Sequence, residues 1–160
     1  MEAMSDRPIE RGQQWLTKLL ELAACPAEVQ VEEKSDCYWL TIDNSNLTPE
    51  QIEILIGSNG SVLDSIQYLA NTILNLGQDT DGQAAYTIEL DNYRFRRQQQ
   101  LEAIAKSAVD RVRETGEEFE IDSLSSAERR QLHNLLKEYD DLETFSRGQE
   151  PDRRLVVCRK

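Results

Sequence analysis

The sequence has one histidine and three cysteines, and both scarcities narrow what it can do. A lone histidine excludes any metal or catalytic centre assembled from several histidines. Cys25, Cys37 and Cys158 are odd in number and far apart, so neither close-spaced metal ligands nor a disulfide framework is expected. Aromatic residues make up 6% of the chain, which leaves few rings on which bases could stack. No apolar run approaches the ~20 residues that cross a bilayer. The opening stretch, Met1 to Arg11, is polar and has no apolar segment like that of a signal peptide. A cytoplasmic protein with no membrane partner is therefore expected, without metal or other cofactor.

Positive charge is also scarce, but unevenly. Residues 1–92 carry 4 basic and 16 acidic side chains, and this half accounts for the whole net charge of −12. Residues 93–160 carry 14 of each, with the arginines clustered. Such asymmetry points to two modules with different tasks, or to a charged partner. The length of 160 residues suits one ordinary domain or two small ones near the lower size limit for a self-sufficient core.

Periodicity supplies the elements. Pro8 to Ala24 reads as a helix with an apolar face from Ile9, Trp15, Leu16, Leu19, Leu20 and Leu22. Glu28–Glu33 and Cys37–Asp43 read as strands of an antiparallel hairpin. Thr48-Pro49-Glu50-Gln51 is a helix start with a capping box. Gly57-Ser58-Asn59-Gly60 interrupts it, and a second helix begins at about Ser61. Ala84–Leu90 reads as a third strand. A long helix then runs from about Asn92 to Thr115, followed by a short strand at Glu118–Ile121 and a helix over Ser125–Tyr139. Leu142–Ser146 and Arg154–Cys158 read as closing strands. The fold class is α+β.

Two constellations carry chemistry. In Gly57-x-x-Gly60 the glycines let the backbone turn tightly, and the N–H groups opening the next helix favour an anion. In Arg129-Arg130-Gln131-Leu132-His133, with Arg129 taken as zero and about 100° per residue, Leu132, Leu135, Leu136 and Tyr139 share the buried face. His133 then falls beside Arg129 at the edge of the core, with Arg130 and Lys137 beyond, so the pair is expected to be anchored by packing and still to reach solvent. Arginine offers a planar fork to phosphate oxygens, and histidine adds a hydrogen-bond donor. No general base, nucleophile or metal cluster lies beside them in sequence, so catalysis is not expected. Arg94, Arg96 and Arg97 stand at a helix start, where cations oppose the dipole, and that placement suggests a partner. Arg147, Arg153 and Arg154 flank the closing turn and could extend a patch that tracks phosphates. Tyr93, Tyr139 and Phe145 are the rings available for stacking.

Leu55 to Leu69, with the Gly57–Gly60 loop, resembles the KH core of the bacterial Jag/KhpB family. Arg129-x-x-x-His133 resembles the signature of the R-3-H domain that follows it there, and Thr144 to Val157 resembles that family's closing strands. The likeness runs from about Arg11 to Cys158. The family's usual N-terminal domain and charged linker have no counterpart in this sequence. The resemblance implies a KH module of the bacterial type II order, helix-strand-strand-helix-helix-strand, over 8–91. It implies a small α+β R-3-H domain over 92–160. It also implies a non-enzymatic binder of single-stranded RNA, with single-stranded DNA as a second candidate, acting as a post-transcriptional regulator or RNA chaperone-like factor. The implied contacts are Arg129, His133 and Arg130, the loop Gly57, Ser58, Asn59 and Gly60, and Arg147, Arg153 and Arg154. The loop residues usually basic in the family are Ser58 and Asn59 here. The alternative is a protein-interaction module whose KH half pairs with a second KH protein or with itself.

Overall fold

A computed structural model describes residues 7–160, so the polar stretch Met1–Asp6 lies outside the described residues. The chain divides into two compact units, the first ending at Arg94 and the second beginning at Phe95.

The first unit runs α1 (Pro8–Leu22), β1 (Val29–Lys34), β2 (Cys37–Ile42), α2 (Pro49–Ile56), α3 (Ser61–Ile73) and β3 (Ala85–Leu90). This is the order expected from the sequence. β1 and β2 pair antiparallel across Ser35 and Asp36, whose positive φ angles of 47° and 63° give the turn the twist a two-residue hairpin needs. β3 pairs in parallel with β2, so the sheet order is β1-β2-β3. The core is made of Leu16 and Leu20 from α1, Leu40 and Ile42 from β2, and Leu63, Ala70 and Ile88, all essentially removed from water. Gly12 permits the contact between α1 and the sheet, since a Cβ there would lie 2.6 Å from the Tyr86 ring.

β3 is an edge strand, but its outer edge is not open. Asn71 on α3 gives its amide to Tyr86 O (2.8 Å) and accepts from Tyr86 N (2.9 Å). One turn on, Asn75 does the same with Ala84 O and Ala84 N, both at 2.7 Å. One turn back, Gln67 Oε1 accepts from Ile88 N (3.0 Å). Spacing of four places the three amides in a row on one face of the helix. They stand in for a fourth strand and satisfy backbone groups that would otherwise template pairing with another chain.

Arg94 completes this row. Its Nε donates to Ile88 O (3.1 Å), and its guanidinium also bonds Gln67 and Asp64. The buried Glu89 carboxylate receives Arg94 N (3.2 Å) at the start of α4 (Tyr93–Thr115), supplying the negative charge that a helix N-terminus favours. Arg97 pairs with Glu128 through two nitrogens, at 2.7 and 3.2 Å. The cations of this helix start, whose placement suggests an outside partner, thus have internal partners at Arg94 and Arg97.

The second unit contains most of α4, then β4 (Phe119–Ile121), α5 (Ser126–Leu136), β5 (Leu142–Arg147) and β6 (Arg154–Arg159). All pairings are antiparallel and β6 is central, in the order β4-β6-β5. Leu155 and Val157 join Leu101, Val109, Leu132 and Leu136 in one core, so the helices cover the face to which the odd-numbered residues of β6 point. α5 stops at Leu136 rather than Tyr139. The last turn tightens there, with Tyr139 N reaching Leu136 O at 3.2 Å. No helix among the described residues is long and apolar enough to cross a membrane.

Candidate nucleic-acid interface

The site grows from the start of α5. Ser125 caps the helix and Glu128 returns the bond, forming a capping box. Arg97 grips Glu128 from α4 and fixes the first turn. One residue further, Arg129 folds back over that turn. Its Nη1 donates to Leu124 O (2.8 Å) and Arg153 O (3.2 Å), and its Nη2 to Ser126 Oγ (2.8 Å) and the Glu150 carboxylate. The residue as a whole is only 5% exposed. Helical position predicts an Arg129 that is anchored yet reaches solvent. It is anchored far more completely, because a guanidinium has enough donors to tie the helix start to the loop before β6, and here it makes four bonds that do so.

His133 lies one turn on, half-buried, with Nδ1 against the Thr144 hydroxyl of β5. The ring nitrogen this leaves toward a ligand is Nε2. Arg129 and His133 line one cleft of about 330 Å³ with Ser126, Arg130, Ser146, Arg153 and Leu155. Arg130 and Arg153 are exposed and form no ion pair among the described residues. The cleft therefore has a floor of fixed polar groups and a rim with two solvated cations, a combination suited to a phosphate backbone.

The remaining arginines go elsewhere. Arg147 and Arg154 face each other across β5 and β6 and point to the opposite side of the sheet from Leu155. Arg147 bonds both Glu118 and Glu120 at 2.7 Å, and Arg154 bonds Glu120 at 3.0 Å. Those bonds hold both glutamates below their ordinary pKa and push Arg147 up. Arg147 and Arg154 thus do not line the cleft with Arg129, and their charge is matched by carboxylates. Strand alternation carries the reason, since Arg153 and Arg154 must project to opposite faces.

The Gly57–Gly60 loop lies in the first unit. Gly57 (φ 73°) and Gly60 (φ 77°) hold conformations that side chains rarely adopt. A Cβ on Gly60 would also lie 2.5 Å from the Tyr93 ring. Both glycines are therefore required by the turn itself. Ser58 and Asn59 are exposed, and the α3 N-terminus that follows has no side-chain cap. The nearby charge is Asp64, in the first turn of α3 and paired with Arg94. Of the candidate stacking rings, Tyr93 is packed under Gly60, Tyr139 lies beneath Arg113, and Phe145 is exposed beneath Arg147.

Sequence reasoning missed Ser126, Ser146, Thr144 and Glu150. Ser126 follows the cap, and Thr144 and Ser146 share the parity of the core-facing side of β5, so helix position and alternation could have found them. Glu150 sits in a turn, where no periodicity points.

Known proteins resemble this chain over its second half and, in one case, over nearly its whole length. Residues 99–159 match the R-3-H domain family. The chain is 32% identical over 117 residues to the RNA-binding protein KhpB of Clostridium symbiosum, covering 73% of this chain and 52% of that protein. It is 27% identical over 157 residues to the RNA-binding protein KhpB of Bacillus subtilis, covering 96% of this chain and 71% of that protein. The KhpB protein of Lactiplantibacillus plantarum is 32% identical over 105 residues, which is 32% of its length. The chain thus spans about half the length of the first of these relatives and a third of the last. Residues 99–159 are thus similar to R-3-H domains, and the chain as a whole is similar to the bacterial KhpB proteins.

Proposed function

We propose that the protein is a non-enzymatic binder of single-stranded RNA that holds the phosphate backbone in the α5 cleft of its R-3-H domain. The observation that carries this reading is the meeting of Arg129, Arg130, His133 and Arg153 around one cleft in a chain of net charge −12. Arg130 and Arg153 contact phosphates directly. His133 donates from Nε2, and Arg129 holds the walls in place. The Gly57–Gly60 loop of the KH-like unit adds uncharged backbone donors. Single-stranded DNA would satisfy the same phosphate contacts. The relatives named as RNA-binding proteins favour RNA, and a role in post-transcriptional control in the bacterial cytoplasm follows from that reading. Fluorescence anisotropy of a labelled mixed-sequence single-stranded RNA tests it. Wild type should bind with a strong salt dependence, and Arg130→Ala/Arg153→Ala should bind weakly. Binding indifferent to both changes would remove the cleft from the account.

A second reading concerns the first unit. Val62, Leu69 and Ile73 form an exposed apolar stripe on α3. This stripe supports pairing with a second KH protein or with another copy. Sedimentation of wild type against Leu69→Asp tests self-association.

A further inference from the structure

We infer that Glu150 is an internal competitor that occupies the phosphate seat of the R-3-H cleft in the free protein, and that nucleic acid must displace it. The inference rests on the reading of that cleft as the phosphate site.

The geometry is that of a bound anion. Glu150 Oε1 takes Arg129 Nη2 and also accepts from Ser126 Oγ at 3.3 Å. Ser126 is the first residue of α5, so the carboxylate also sits at the positive end of a helix of 11 residues. A guanidinium, a hydroxyl and a helix N-terminus around one oxygen are the surroundings a phosphate oxygen would seek.

The two partners are held very differently. The Arg129 side chain is 6% exposed, and its other nitrogen is locked by two backbone carbonyls. The Glu150 side chain is 56% exposed and stands in the turn between β5 and β6. Rotation of Glu150 into water leaves the arginine in place, with its Nη2 edge turned toward the cleft. Arg130 and Arg153 at the rim would then meet the flanking phosphates. A carboxylate carries one charge and offers two oxygens on a short tether. It can fill the seat without the rim, whereas a phosphate backbone uses both.

The displacement costs the free protein an ion pair that the bound protein replaces with a better one. Neutralising Glu150 should therefore tighten RNA binding. Glu150→Gln keeps the shape and an oxygen acceptor for Arg129 and Ser126, so folding should survive. The expected gain is about fivefold in affinity, the scale of a partly exposed ion pair. Any lost negative charge attracts RNA, so Glu138→Gln, at an exposed position after α5, serves as the control.

Labelled single-stranded RNA would be titrated against the three proteins, each as the 160-residue chain and each checked by circular dichroism. A gain for Glu150→Gln well above that for Glu138→Gln is the expected result. Binding by wild type with Glu150→Gln equal to it, or weaker, would overturn the competitor role and leave the RNA reading standing. If no protein binds RNA, that reading fails, and inorganic phosphate decides the competitor role alone. A phosphate-dependent rise in Tm larger in Glu150→Gln than in wild type would support it, and equal or absent shifts would overturn it.

Discussion

Replacing Arg129 by alanine should damage the fold of the second unit before it damages any contact with nucleic acid. The guanidinium makes four bonds, two to backbone carbonyls and two to side chains, and is almost fully buried. Removing one member of a buried ion pair costs roughly 3–5 kcal/mol. Glu150 is half in water and regains hydration once released, so the lower end applies, about 3 kcal/mol. A small unit has roughly 0.05–0.15 kcal/mol of stability per residue, so this loss is a large part of the whole. The assay must separate the units. Trp15 and Trp39 are both in the first, so tryptophan fluorescence in urea follows that one alone. Amide hydrogen exchange across α5, β5 and β6 follows the second. In Arg129→Ala the fluorescence transition should stay put while protection of those elements drops by about two orders of magnitude, the equivalent of about 3 kcal/mol. Arg129→Lys should recover less than half, because one ammonium cannot span both carbonyls and the hydroxyl. Wild-type protection in Arg129→Ala would refute the argument that the arginine staples the loop to the helix. Loss of RNA binding in this variant would accordingly report a lost wall of the cleft, not only a lost phosphate contact.

Further outcomes follow from the same geometry. Arg130→Ala and Arg153→Ala should each weaken RNA binding and lower the log–log salt slope by ~0.7, whereas Arg147→Ala and Arg154→Ala, on the other face of the sheet and paired with glutamates, should leave the slope nearly unchanged in the same anisotropy titration. Asn71→Ala opens the edge of β3 and strips partners from both backbone groups of Tyr86, so the urea midpoint by tryptophan fluorescence should fall by the equivalent of about 2 kcal/mol. Gly60→Ala combines an unfavourable φ with a clash against Tyr93 and should cost at least ~2 kcal/mol in the same measurement. Asp141, Glu118 and Glu120 are held below their ordinary pKa by bonds from Arg113 and Arg147. For carboxylates with a depressed folded pKa, the stabilisation is complete above the unfolded value and is lost as pH falls through the folded one. The Tm of the second unit should therefore drop below roughly pH 4, and a Tm that stays flat or rises on acidification would contradict these pairings.

Much of this architecture is written in local patterns. The capping boxes at Thr48 and Ser125, the hairpin at Ser35-Asp36 and the glycines of the loop each depend on a few adjacent residues, and all stand where local reasoning puts them. The ion pairs were not legible, because Arg94 with Asp64 and Arg97 with Glu128 join residues about thirty positions apart. The charge of α4's first turn therefore looked unmatched when it was not. The same blindness made Arg129 look freer than it is, since helical angle gives direction but not the length over which a guanidinium folds back. Arg147 and Arg154 could have been separated from Arg153 by strand parity alone. The amide row on α3 could have been seen in the spacing of Gln67, Asn71 and Asn75, but only with β3 already placed beside it.

The most direct test of the phosphate cleft is a titration of the isotope-labelled full chain with a short single-stranded RNA, followed by amide and arginine side-chain NMR signals. The account predicts that the largest shifts fall on α5, on the turn through Glu150 to Arg153 and on the Arg130 and Arg153 guanidinium groups. Arg147 and Arg154 should stay still. Shifts concentrated on Arg147, Arg154 and Phe145, with α5 silent, would put the nucleic acid on the opposite face of the sheet and contradict it.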